Sequence, residues 1–365
     1  MALLNYSEIL SHFDIPVSDI SVNQIHYGHI NGTYKIDADN KKYILQKINT
    51  SVFKNPDELM SNIIGVTDFI TKKIEKSGED ASRRTLHFHK CDNGKYYFVD
   101  NSDDCWRLYD YVDGVTSYMS TDDKEIFYNC AKAFGEFQKS LSDYPAETLF
   151  ETIPNFHNTE SRMADFKKSV ERDTAHRKAL VKPEIEFALS HENYCSYITS
   201  RIKDGRYSLR VTHNDTKLNN ILIDDETKLG ICVIDLDTVM PGSVLYDFGD
   251  SIRFGACSTA EDETNYESVR IRLDLFEEYT KGFLEGVGNS LSKDEILGLP
   301  YGAIVITLET GLRFLADYLD GDTYFAISRE NQNLDRARVQ FALVADMEKH
   351  LSEMTEIVKK YGGLS

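Results

Sequence analysis

Residues Val211–Asp224 read VTHNDTKLNNILID, and Leu229–Asp235 follow as LGICVID. Three polar side chains stand at fixed intervals in the first stretch: His213, Asp215 two residues on, and Asn220 five beyond that. Across Ser208–Asp237 the short apolar runs LRV, NILI and GICVID alternate with polar clusters, a pattern of brief strands and loops. The surroundings read as helix. Asp122–Ser142 repeats Ile126, Cys130, Phe134, Phe137 and Leu141 at helical spacing, and Glu184–Lys203, Tyr301–Asp320 and Asp335–Lys360 carry similar stripes. The decisive stretch is therefore a strand-and-loop insert inside a helical body.

The chain before it has a different texture. Ser21–Tyr27, Thr33–Asp37 and Lys42–Ile48 alternate like strands, parted by GHING and DADN, and predict an antiparallel sheet. Pro56–Lys76 predicts a helix with Leu59, Ile63, Val66, Ile70 and Ile74 on one face. Leu86–His89 and Tyr96–Asp100 predict a hairpin around DNG, and WRLYDYVDG, Trp106–Gly114, a strand that breaks at Asp113–Gly114. The expected fold is α+β and two-lobed like a protein kinase. A small β-rich N-lobe (1–105) and a larger, mainly helical C-lobe (114–365) meet at a hinge (106–113).

The spacing His-x-Asp-x₄-Asn is that of a phosphotransferase catalytic loop. A hydroxyl that accepts a phosphoryl group needs a carboxylate to orient it and take its proton, the role read for Asp215. ATP needs a divalent ion to neutralise charge as its γ-phosphoryl leaves. Asn220 offers a neutral oxygen and Asp235 an anionic one, a donor set suited to Mg²⁺. Lys217 is placed to stabilise the transferring group.

Composition excludes several partners. With 41 Lys and Arg against 60 Asp and Glu, the formal charge is −19, which repels nucleic acid and anionic lipid. No stretch approaches the roughly 18–20 apolar residues of a membrane span, and MALLNYSEIL lacks the basic start of a signal peptide. Cys91, Cys105, Cys130, Cys195, Cys232 and Cys257 show no CxxC spacing, so reduced thiols in a cytoplasmic protein are expected.

Longer runs narrow the reading. THNDTKLNNILID, then VIDLDTVMPGSVLYDFGDSIR, resemble the aminoglycoside phosphotransferase and choline kinase superfamily. Within it, GHINGTY, YILQKIN and ETGLRFLADYLDGDTYF are most similar to the N-acetylhexosamine 1-kinases. The resemblance implies ATP-dependent phosphorylation of the anomeric 1-hydroxyl of N-acetylglucosamine or N-acetylgalactosamine. An anomeric hydroxyl is more acidic than an ordinary alcohol, which eases the base's task. Choline, homoserine or an aminoglycoside is the alternative acceptor, and a catalytically inactive nucleotide-binding protein the rival class.

Gly28, Asn31, Gly32 and Thr33, in GHINGTY, are expected to lay backbone N–H groups over the ATP phosphates. In YILQKIN the place of the kinase strand lysine falls on Gln46, with Lys47 beside it. Strand alternation sends the two to opposite faces and leaves open which one meets the phosphates. Glu58 is a candidate partner for the lysine. Tyr109 and Tyr111, in the expected hinge, read equally as adenine contacts or as core aromatics. The resemblance implies a sugar site of Asp215, His29, Arg313 and Tyr324; Asp317, one helical turn from Arg313, is the plain structural partner. Asp247, too far beyond Asn220 to be the kinase metal aspartate, is implied to brace the catalytic loop.

Overall fold

The computed structural model describes residues 6–13, 15, 20–25, 30–39 and 41–364. In the N-lobe, helix α1 (Tyr6–Ser11) is followed by strands β1 (Ile20–Ile25), β2 (Gly32–Ala38) and β3 (Lys41–Ile48), helix α2 (Pro56–Lys76), and strands β4 (Phe98–Val99) and β5 (Cys105–Asp110). The strands form one antiparallel sheet in the order β1-β2-β3-β5-β4. Its register sets Thr33 opposite Gln46 and Gln46 opposite Arg107, so these three share one face. Gly32, Lys47 and Trp106 line up in the next row, on the other face.

Each face of the sheet is covered. Ile36, Leu45, Trp106 and Leu108 pack on Leu10 and Phe13. The other side faces α2, which starts where Asn55 accepts from the Glu58 amide and Pro56 takes the first turn. Leu59, Ile63 and Val66 of α2 share a cluster with Phe137, Val211, Leu236 and Val239 of the C-lobe. Asn62 adds two inter-lobe hydrogen bonds, to the carbonyls of Phe150 (2.8 Å) and Val239 (2.9 Å). Apolar burial and buried amide bonds thus hold α2 against the larger lobe.

The C-lobe runs β6 (Val115–Thr116), α3 (Lys124–Ser140), α4 (Thr159–Arg172), α5 (Lys182–Ser190), α6 (Tyr197–Lys203), β7 (Arg210–Thr212), β8 (Ile221–Asp224), β9 (Gly230–Val233), β10 (Met240–Gly242), α7 (Val244–Gly255), α8 (Leu273–Val287), α9 (Lys293–Asp320), α10 (Gln332–Lys349) and α11 (Leu351–Tyr361). Two small sheets, β6-β8-β9 and β10-β7, are set among these helices. α7 approaches α9 at two glycines: a Cβ on Gly249 would lie 2.4 Å from the Gly302 carbonyl oxygen. That approach fixes α7, and with it the carboxylates that hold the catalytic loop.

Several expectations are corrected. Leu86–His89 and Tyr96–Asp100 do not pair with each other. Phe88 bridges Tyr109 while Phe98 pairs with Trp106, so both segments meet β5 at different points along it. Glu184–Lys203 is two helices, because Ser190 Oγ and His191 Nδ1 both hydrogen-bond the Phe187 carbonyl, each at 2.7 Å, where the helix ends. Asp335–Lys360 is divided at His350. α9 is in fact long and apolar enough to cross a membrane by length and composition, and most of it is buried in the C-lobe. A helix enclosed by its neighbours is apolar all round for that reason alone.

Candidate active site

The loop after β7 is held from behind by Asp247 of α7. Its carboxylate accepts the amides of His213 (2.9 Å) and Asn214 (2.7 Å) and the side-chain amide of Gln138 (2.6 Å). Asn214 takes the left-handed conformation (φ 65°) that lets two consecutive amides point at one carboxylate. His213 is buried and donates through Nε2 to the Ile234 carbonyl at 2.8 Å, joining the loop to the end of β9. Thr216 N donates to Asp250 (3.1 Å), which is paired with Arg253 (2.8 Å). The backbone bracing leaves the Asp215 side chain free to face the cleft.

Around that carboxylate, Lys217 Nζ lies 2.8 Å from Oδ1. Asn220 Nδ2 donates to the Asp215 carbonyl at 2.7 Å and to Oδ2 at 3.3 Å. Burial alone would lower the Lys217 pKa; Asp215 and Asp250 outweigh it and hold the ammonium above its ordinary range. The base candidate, the lysine and the asparagine therefore form one hydrogen-bonded group.

Asp235 follows β9 in the left-handed conformation (φ 59°). Its side chain is reachable by solvent at the cleft yet crowded by protein. That desolvation first, then the charges of Asp237 and Asp215, push its carboxyl up to about 6. A carboxylate that its neighbours' charges disfavour in this way suits a divalent cation, which would relieve the repulsion. Among the described residues, no three His, Cys, Asp or Glu side chains form a ready-made metal cage. Magnesium does not require one, since it keeps waters and phosphate oxygens beside one or two carboxylates. Asn220 and Asp235 fit such a partial shell.

On the N-lobe side, Gln46 turns toward this cleft. Its Oε1 accepts from Arg107 Nη2 (2.7 Å) and Nε (3.0 Å), and its Nε2 donates to Thr33 Oγ1 (3.1 Å). Arg107, 2% exposed, extends to Asp237 Oδ1 at 2.5 Å in the opposite lobe. Asn31 Nδ2 reaches the other Asp237 oxygen at 2.5 Å, and Asn31 Oδ1 accepts the Asn49 amide at 2.9 Å. Lys47 points away and pairs with Asp104 at 2.5 Å, not with Glu58. Gly32 lies opposite Lys47 and has room for a Cβ, whose nearest neighbour would be 3.5 Å away. Gly28 and His29 lie outside the described residues.

Tyr109 packs on Phe88, ring centres 5.0 Å apart, within the inter-lobe cluster; burial raises its phenol pKa. Tyr111 lies under Lys35, 4.9 Å from the ring centre, and its amide donates to the Lys42 carbonyl at 3.1 Å. The two tyrosines thus occupy different surroundings.

On the acceptor side, Arg313 does not pair with Asp317. The Asp317 carboxylate is filled by the amides of Thr323 (2.9 Å), Tyr324 (2.8 Å) and Phe325 (2.9 Å) and by Asn333 Nδ2 (2.9 Å), and so shapes the loop after α9. Arg313 instead lies against Phe325, 5.4 Å from the ring centre. Tyr324 is 70% exposed and sets its ring edge-on to Phe325. One turn before Arg313, buried Glu309 holds His157 Nδ1 at 2.8 Å and Thr159 Oγ1 at 2.6 Å. His157 Nε2 reaches the Asn214 carbonyl at 3.1 Å, beside Asp215. Both partners of His157 are acceptors, so its ring carries both protons. Burial opposes that charge, and Glu309 outweighs burial and raises the pKa.

Arg107, Asp237, His157 and Glu309 were not singled out by the sequence. Asp237 comes to the cleft beside Asp235 in the loop after β9, whereas Arg107 is brought there by the register of β3 with β5 and His157 and Glu309 by the packing of α9.

A model described as the phosphotransferase enzyme family matches residues 21–280, more than half of the chain. Solved structures share the architecture. An aminoglycoside phosphotransferase from Alicyclobacillus acidocaldarius is 13% identical with a TM-score of 0.58, over 99% of this chain and 98% of that one. A choline kinase from Cryptosporidium parvum Iowa II is 13% identical with a TM-score of 0.58, over 96% and 95% respectively. A microcompartment-associated aminopropanol kinase is 16% identical with a TM-score of 0.56, over 96% and 98%. At such identities the likeness is one of fold, while the family match rests on the sequence itself. The chain therefore belongs to the phosphotransferase enzyme family and is by class an ATP-dependent small-molecule kinase.

Proposed function

We propose that the enzyme transfers the γ-phosphoryl of ATP to the anomeric 1-hydroxyl of N-acetylglucosamine or N-acetylgalactosamine. The observation that carries the acceptor assignment is Arg313: its neighbour Asp317 is fully engaged elsewhere, and the guanidinium lies over the Phe325 and Phe156 rings with no ion pair among the described residues, which suits a ligand's oxygens. Tyr324, exposed beside Phe325, offers a ring and a hydroxyl to a sugar.

In this reading Asp215 accepts the proton of the attacking hydroxyl. Lys217, already 2.8 Å from Asp215, steadies charge on the moving phosphoryl group. Asn220 and Asp235 hold magnesium, which when bound neutralises the phosphate oxygens. Asn31, Gly32 and Thr33 cover the phosphates, and Gln46, rather than Lys47, stands on the phosphate side. The segment that carries Tyr109 and Tyr111 meets the adenine, and Asp215, Arg313 and Tyr324 meet the sugar.

A second reading keeps the reaction and changes the acceptor to choline, homoserine or an aminoglycoside. The names of the matched structures favour it, since they are kinases of choline and aminopropanol and an aminoglycoside phosphotransferase. Turnover with Mg-ATP across N-acetylhexosamines, free hexoses, choline and homoserine separates the two. The hexosamine reading requires N-acetylhexosamines to give the highest kcat/KM; it fails if an amino alcohol does.

The metal assignment has its own test. Asp235→Asn removes the anionic ligand and should raise the magnesium concentration for half-maximal turnover by about tenfold or more. An unchanged magnesium titration would place the cation elsewhere.

A further inference from the structure

Arg313 has a companion. α4 sends Arg162 to the same place, where its Nε and Nη2 donate to the Phe156 carbonyl at 3.3 and 3.0 Å. The Arg313 guanidinium stands 5.8 Å from the Phe156 ring centre. Two guanidiniums from different helices thus converge on one residue. The acids that act on them are paired with other groups: Glu309 with His157 and Thr159, and Asp165 with Lys168. Burial, and then the Arg313 charge, lower the Arg162 pKa, as expected for like charges in partial shelter.

A cation–π contact draws a guanidinium onto an aromatic ring. That accounts for Arg313 lying over aromatic rings, not for a second guanidinium beside it. In a chain of formal charge −19, two cations have been brought together that form no ion pair among the described residues, while Glu309 acts on both through space. The cluster is also fixed relative to the chemistry. Glu309, on the same helix as Arg313, holds His157, and His157 holds the Asn214 carbonyl next to Asp215.

We propose that Arg162 and Arg313 form one acceptor subsite that binds an oxygen-acceptor group of the substrate, an amide carbonyl or a carboxylate, and turns away alcohols bearing an ammonium group. This rests on the reading that the acceptor lies against Arg313. The planar guanidinium of Arg313 can meet two oxygens at once, and Arg162, whose Nε and Nη2 already hold the Phe156 carbonyl, adds the N–H groups of Nη1, a donor set that suits a carbonyl flanked by hydroxyls or a carboxylate. An ammonium in the same space would meet two like charges.

The test assays wild type, Arg162→Gln and Arg162→Lys with Mg-ATP against N-acetylglucosamine, glucose, glucuronate, choline and ethanolamine. For the best acceptor, Arg162→Gln should raise KM by about ten- to a hundredfold, the loss expected for a charged hydrogen bond. KM for ATP and the thermal midpoint should hold, and Arg162→Lys, which keeps charge without the fork, should fall between. If glucuronate is best and sensitive to Arg162→Gln, the subsite stands and the hexosamine reading falls. If N-acetylglucosamine is best but its KM stays within about twofold in Arg162→Gln, the reading stands and the subsite is wrong. Choline or ethanolamine as the best wild-type acceptor overturns both.

Discussion

Asp215→Asn lowers kcat by about 10²–10⁴-fold, the range a positioned general base contributes. The substitution keeps the shape of the side chain and removes only its capacity to take a proton. The loop stays in place, because Asp247 grips it by the amides of His213 and Asn214 and not through Asp215. Nucleotide affinity should therefore change little, and titration of ADP binding alongside steady-state turnover separates the two effects. Lys217 loses its ion-pair partner in this variant, so Lys217→Met is the matched control. A variant Asp215→Asn within a few-fold of wild-type kcat would remove Asp215 from the chemistry.

The largest stability effect is expected at Arg107. Arg107 and Asp237 meet across the lobes with both side chains nearly sealed from water, at 3% and 4% exposure. A buried pair of this kind adds little over an apolar replacement, but removing one member strands the other, at a cost of about 3–5 kcal/mol. Arg107→Met should reach that cost, because Asp237 would remain beside Asp235 without its counter-charge. The pair Arg107→Met, Asp237→Leu should be less damaging than the sum of the single changes, since neither charge is then orphaned. Urea unfolding of the four proteins completes the cycle. Additive effects, or a single Arg107→Met cost within about 1 kcal/mol of wild type, would mean that the pair does not tie the lobes.

What the sequence reveals and what it hides follow from where the residues lie along the chain. His213, Asp215 and Asn220 fall within one loop, and Asp235 follows the β8–β9 hairpin that leaves it, so their closeness in sequence brought them together. The three N-lobe strands and Pro56–Lys76 were legible for the same reason: their periodicity is local. The Gln46 and Lys47 alternatives needed the pairing of β3 with β5, since only that register sets Gln46 beside Arg107 and sends Lys47 to Asp104. Arg162 with Arg313, and Glu309 with His157, come from segments far apart that helix packing brings together. The breaks after Ser190 and at Lys349 were missed because the apolar stripes continue past them. At the first break, side chains capture the carbonyl of the preceding turn, a competition that periodicity does not register.

The decisive measurement is the identity of the phosphorylated product. Purified enzyme with Mg-ATP and N-acetylglucosamine or N-acetylgalactosamine should yield a sugar phosphate whose phosphorus couples to the anomeric proton in two-dimensional NMR. Phosphate on another hydroxyl of the sugar, or no sugar phosphate while an amino alcohol is phosphorylated, would contradict the assignment.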